Sequence, residues 1–218
     1  MSRDSDLPAE AVERRDRSNA RLKAENVPVY DDLFVIETAD QMHRRTTGEI
    51  ARRALSLAVV AIHADAKDQI WTNELIESYG IKSDLSPIET NFIAAKEIDI
   101  ELATSLSWRF EAMMPLLWAI GYVPELSRPD HQIVVPEVLG PIIKFREGEL
   151  ERLAKLRSVN ELLDAADLIL RYHWAIRDCW LSGRPPPAGL DSGVVAERHV
   201  ALNWLIRNER WDDVDTGT

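Results

Sequence analysis

Wherever a segment of this chain is long enough to show a period, apolar residues recur every three to four positions. That spacing constrains the fold more than any other feature, because it suits α-helices with one buried face. Across 48–63, Ile50, Ala54, Leu57, Ala58 and Ala61 form one stripe. Across 159–181, Leu162, Ala166, Ile169, His173, Ile176 and Trp180 do the same, and across 191–208 the stripe is Val194, Val195, Ala201, Leu202, Leu205 and Ile206. Residues 106–120 are apolar almost all round, which predicts a buried helix. A polar helix over 9–25, a short one near 73–79, a long one over 100–120 and a weaker one over 137–156 complete the pattern. Extended pieces are expected only at 33–36 and 133–135. The fold expected is mainly α: one bundle-like domain of about seven or eight helices, with at most a minor short strand element.

Local signals place several boundaries. In "LSPIE", Ser86 is an N-cap, Pro87 a first-turn proline and Glu89 the reciprocal member of a capping box. Asp191 caps the last helix, and "SGRPPPAG" (182–189) is a stiff turn before it. Residues 1–13 are expected to be flexible, with 14–218 forming the domain. Its acidic tail, 209–218, carries Trp211 and Val214, which a free tail would not need, so both should pack back on the domain.

Composition narrows the function classes. The formal charge is −11, which repels phosphate backbones, so nucleic acid is not the expected partner. No apolar run is long enough for a membrane span, and the polar N-terminus does not read as a signal peptide. A lone Cys179 leaves no internal disulfide and no cysteine-based zinc site, so a soluble protein of the cytoplasm is expected. The run "ERRDRSNARLK" (13–23) has five basic and two acidic side chains and no aromatic residue, which suits a solvated face or docking arm. P-loop, G-x-G-x-x-G, H-E-x-x-H and G-x-S-x-G motifs are missing, and no cofactor or metal is expected.

The polar residues inside apolar helices are the candidate site. Arg109 and Glu111 fall on opposite faces of their helix, so each needs its own partner; Glu111 shares its face with Trp108, Pro115 and Trp118. Asp164, Asp167, Arg171 and Asp178 make a narrow polar strip, which on a well-exposed helix is a solvated face with an Asp167–Arg171 i,i+4 pair, and whose small arc fits an interior polar cleft almost as well. In "VVAERHVALNWLI", Glu197, Arg198 and His199 point three ways, about 100° apart. Arg198 lies in the apolar stripe and should reach a carboxylate such as Glu111 or Asp164. Glu197 lies beside Trp204, whereas His199 and Asn203 share the polar flank. Trp108, Trp118, Trp174 and Trp204 are candidates for an aromatic lining.

The order of motifs resembles a bacterial family known as domain of unknown function 4272. The resembling stretches begin with Arg14, Arg17 and Ser18, then Glu49, Ile50 and Arg53, and the Leu85 to Glu89 box. They continue through Trp108 to Gly121, Leu156 to Ala175, Glu197 to Leu205 and Trp211 to Thr218. Gly217 stands where many relatives carry Asp. The resemblance implies a single helical domain of bacterial origin and brings no activity with it. The function expected is a module binding a protein or small-molecule ligand. A hydrolase-like enzyme, possible metal assistance included, would use a polar cleft where Glu111 and Asp167 converge. A structural homodimer subunit is the third reading.

Overall fold

The computed structural model describes residues 7–218, and the elements among them are helical, with no strand. In chain order the helices are α1 (Ala9–Ala24), α2 (Thr47–Ala66), α3 (Gln69–Tyr79), α4 (Pro87–Ala94) and α5 (Ile100–Ser107). They continue with α6 (Arg109–Ala119), α7 (Val135–Ile142), α8 (Glu149–Leu153), α9 (Val159–Leu181) and α10 (Ser192–Ile206). Of the segment expected to be flexible, residues 1–6 lie outside the described residues, and Ala9 to Glu13 belong to α1.

α2 is the central element. Its residues from Leu55 to Ala64 are all buried, Ser56 and His63 included, so this stretch has no solvent face. It packs on α5 and α6; α6 packs on α10, α10 on α9, and α9 on α1. The last helix of the chain therefore sits inside and the first outside. Capping boxes start α2 at Thr46 and Glu49, α4 at Ser86 and Glu89, and α9 at Ser158 and Glu161. Asp191 caps α10 through the amides of Gly193 and Val194.

The structure corrects several expectations. The helix expected over 100–120 breaks at Trp108, whose N–H donates to Ser105, three residues back, at 3.3 Å. The Trp108 ring lies so close to Gly193 that a Cβ there would come within 2.5 Å of it, so the break seats an indole against α10. No strand forms at 133–135. The Ile133 amide donates instead to Glu111 Oε1 at 2.6 Å, and Val135 opens α7 with Pro136 in its first turn. The stretch 33–36 buries Leu33 and Ile36 without strand pairing. Trp180, placed on the apolar stripe of α9, is 75% exposed, although the adjacent Cys179 is buried.

The tail behaves as expected. Trp211 is buried edge-on against Trp204, with ring centroids 5.8 Å apart, and Val214 packs on the core. Arg45 stacks 3.8 Å over Trp204 and donates to the carbonyls of Trp204, Arg207 and Glu209, which fixes the exit from α10. Asn203 then donates to the Asp215 carbonyl at 2.7 Å.

Candidate functional site

The polar residues of α6, α9 and α10 are brought together in pairs, not into one cleft. Arg198 donates from Nε and Nη2 to Glu111 Oε2 at 3.2 and 3.1 Å, and both side chains are buried, 1% and 3% exposed. Its Nη1 donates to the Ser127 carbonyl at 2.7 Å, so the guanidinium also holds the loop that follows α6. Burial pulls the Arg198 pKa down and Glu111 pushes it back up, the balance expected of a desolvated ion pair. Next along α10, Glu197 meets Arg109 at 3.0 Å. Burial raises the Glu197 pKa against that arginine. Two adjacent α10 residues thus answer the two charges that α6 presents on opposite faces.

Asp167 and Arg171 form their i,i+4 pair through two 2.8 Å hydrogen bonds, but it is buried, not solvated. The reason is α1, which lies over the polar strip of α9; the segment after it adds the Phe34 carbonyl at 3.5 Å from Arg171. Asp164, further along the strip, stays 45% exposed and meets Arg14 at 3.3 Å and Arg17 at 2.7 Å. Asp178, at its far end, pairs with Arg184 at 2.7 Å. Glu111 and Asp167, whose convergence in a cleft would favour a hydrolase, are each committed to its own arginine.

His199 and Asn203 also differ from expectation. The flank they share is covered by α9 and the tail, so both are buried. The Nδ1 atoms of His173 and His199 are 2.7 Å apart, which requires one ring to donate and the other to accept. Burial, with His173 and Arg207 nearby, pushes His199 down to about 3, and burial with Arg177 lowers His173.

The four tryptophans do not line one pocket. Trp108 lies on Gly193, Trp174 stacks on Tyr30 at 5.3 Å, and Trp204 meets Trp211. Trp118 alone of the four lines a groove of about 530 Å³ between α9, α10 and the 121–130 loop. Leu168, Ile169 and Leu202 supply its apolar wall, Arg198 lies on its floor, and Arg21, Arg157, Glu161 and Asp164 stand among its polar residues. The loop wall is fixed by guanidinium groups. Arg157 stacks 4.7 Å from Trp118 and donates to the carbonyls of Trp118 and Pro124 at 2.8 and 2.6 Å. Arg128 donates to Glu25 and to the Ala188 carbonyl, and the Tyr172 hydroxyl donates to Glu25 at 2.6 Å. Hydrogen bonds from Ser158 and from Arg157 hold the Glu161 carboxyl below its usual range, so it is ionised at neutral pH. Burial and the Glu25 hydrogen bond raise the Tyr172 phenol, which stays protonated. Among the described residues, no three His, Cys, Asp or Glu side chains gather in a way that could hold a metal ion.

The sequence did not point to Arg21, Arg157 or the 121–130 loop as parts of this groove. Nor did it reveal the Arg53–Glu89 pair, at 2.6 Å and fully interior. Glu89 was legible as a helix cap, while Arg53, a cation within an otherwise apolar helix, was the signal that a buried acid must face it.

Fold and site together define an all-helical domain whose interior is crossed by arginine–carboxylate pairs and whose surface carries this groove beside them and, near Trp204 and Trp211, a second cavity of about 550 Å³. The chain belongs to the family described as Domain of unknown function (DUF4272), which matches residues 14–214. Searches of curated proteins and of solved structures found no match. No helix among the described residues is long and apolar enough to cross a membrane.

Proposed function

We propose that this domain is a binding module that takes a small ligand in the groove between α9, α10 and the 121–130 loop. The observation that carries the reading is the groove itself: about 530 Å³, within the size range of small-molecule sites, with an apolar wall and a few fixed polar groups. Support also comes from where the ionisable groups stand. Glu111 is occupied by Arg198, Asp167 by Arg171, and Arg198 also by a backbone carbonyl, which suits a rigid scaffold. A lone, buried Cys179 is consistent with work in a reducing cytoplasm.

Ala165 lines the groove on α9 and is half-buried, so Ala165→Trp fills the groove without breaking a pair. Compounds that raise the melting temperature of the wild-type protein are expected to lose that effect on Ala165→Trp, which itself should melt within a few degrees of wild type. Equal stabilisation of both proteins by the same compounds would place their site elsewhere and remove the reading.

A further inference from the structure

We infer that the ligand of this groove is a small organic oxyanion, an apolar body carrying a phosphate- or carboxylate-type group, with the anionic group held by Arg17 and Arg21 of α1. The inference rests on the groove reading above and names the chemistry it would select.

Arg14, Arg17, Ser18 and Arg21 fall at i, i+3, i+4 and i+7 of α1, which places them on one face, turned to α9. They line a second cavity, of about 130 Å³, together with Asp164 and Leu168. Arg21, Asp164 and Leu168 line both this cavity and the larger groove, so the two are contiguous across one shared ridge. An apolar body on Leu168, Ile169 and Trp118 would therefore have its end beside the arginines.

Three arginines stand at that end, and of the carboxylates that meet them, Glu10, Asp164 and Glu25, only Asp164 lines the small cavity. Asp164 is shared by Arg14 and Arg17. Arg21 meets Glu25 through Nε at 2.9 Å, with the Tyr172 hydroxyl also near its guanidinium. Glu25 is itself divided among Arg21, Arg128 and Tyr172. Arg17 and Arg21 are 57% and 50% exposed, so they reach an incoming group without rearrangement of the core. In a chain whose formal charge is −11, a cationic stripe beside an apolar groove selects for an anion. Paired guanidinium groups suit the planar or tetrahedral oxygens of such a group. The volume of the groove favours a small molecule over a macromolecule.

The test compares 1-naphthyl phosphate, 1-naphthoate, 1-naphthol and inorganic phosphate by calorimetry on wild type, Arg17→Ala, Arg21→Ala and Ala165→Trp. The expected result is that naphthyl phosphate or naphthoate binds at least about tenfold more tightly than naphthol. Whichever of the two binds more tightly tells phosphate from carboxylate. Each arginine variant should weaken the anionic probes by about tenfold, leave naphthol unchanged and melt like wild type, while added salt weakens the anionic probes alone. Naphthol binding as tightly as the anions, or arginine variants that bind the anions like wild type, would overturn the inference. If Ala165→Trp still abolished naphthol binding in that case, the groove reading would stand without it. Failure of every probe to bind, or their equal binding to Ala165→Trp, would sink both.

Discussion

Two arginine–carboxylate pairs, one at each end of the chain, use the same chemistry in opposite surroundings. Arg198 of α10 meets Glu111 in the interior, with the 121–130 loop sealed over it by the bond to Ser127. Arg17 of α1 meets Asp164 at the rim, at a shorter distance of 2.7 Å but with both side chains about half exposed. Distance alone would rank the rim pair higher. Solvent reverses that order. Exposed pairs are screened and contribute from nothing to about 1 kcal/mol. Breaking a buried pair strands a charge and costs about 3–5 kcal/mol. The interior pairs therefore hold the domain together, and the rim arginines are left able to exchange partners. Position in the packing decides this: α10 lies between α6 and α9, whereas α1 is the outermost layer on α9.

If the C-terminal region owes its dryness to what covers it, removing the cover should be costly. Trp211 packs against Trp204 and lies 5.0 and 5.6 Å from the guanidinium groups of Arg53 and Arg109. Trp211→Ala is expected to lower the unfolding free energy by about 3 kcal/mol, measured by chemical denaturation. A loss below about 1 kcal/mol would mean that the tail is not part of the seal.

A smaller effect probes the same interior with protons. The native state keeps His199 neutral until about pH 3, while the unfolded chain takes up the proton near 6.5. Between those values the unfolded state binds more protons, so stability must fall as pH falls, by up to about 1 kcal/mol per pH unit. Glu25, held below its usual 4.5, adds its own loss only in more acid solution, and Glu197, raised by burial, acts with the opposite sign. Between pH 6.5 and 5 the wild type should therefore lose stability more steeply than His199→Gln. Parallel slopes would contradict a dry α9–α10 interface.

The interior was legible in the sequence to the extent that helix periodicity reports it. The place of Arg198 within the apolar stripe of its helix called for a buried carboxylate, with Glu111 and Asp164 as candidates, and the structure pairs it with Glu111. Capping residues located the starts of α4 and α10. Tertiary covering was not legible. On a helical wheel the Asp167–Arg171 strip fits a solvated face or an interior cleft, and the docking of α1 decides for burial. His199 reads as a flank residue until α9 and the tail close over it. The helix break at Trp108 depends on Gly193, 85 residues away in the chain, and the groove depends on a loop held by Arg157 and Arg128. Each of these is set by contacts between distant segments, which a local period does not encode.

The most direct test of the contrast between the two ends is a pair of double-mutant cycles under one denaturant protocol. One uses Arg198→Ala with Glu111→Gln, the other Arg17→Ala with Asp164→Asn. The account predicts a coupling of about 1 kcal/mol or more for the interior pair, with Arg198→Ala alone costing about 3–5 kcal/mol. A coupling below about 0.5 kcal/mol is expected at the rim, where Arg17→Ala alone leaves stability nearly unaltered, while Asp164→Asn also takes a partner from the buried Arg14 and is read through the coupling only. Equal couplings, or an Arg198→Ala protein that unfolds like wild type, would contradict the division between a structural interior and an available rim.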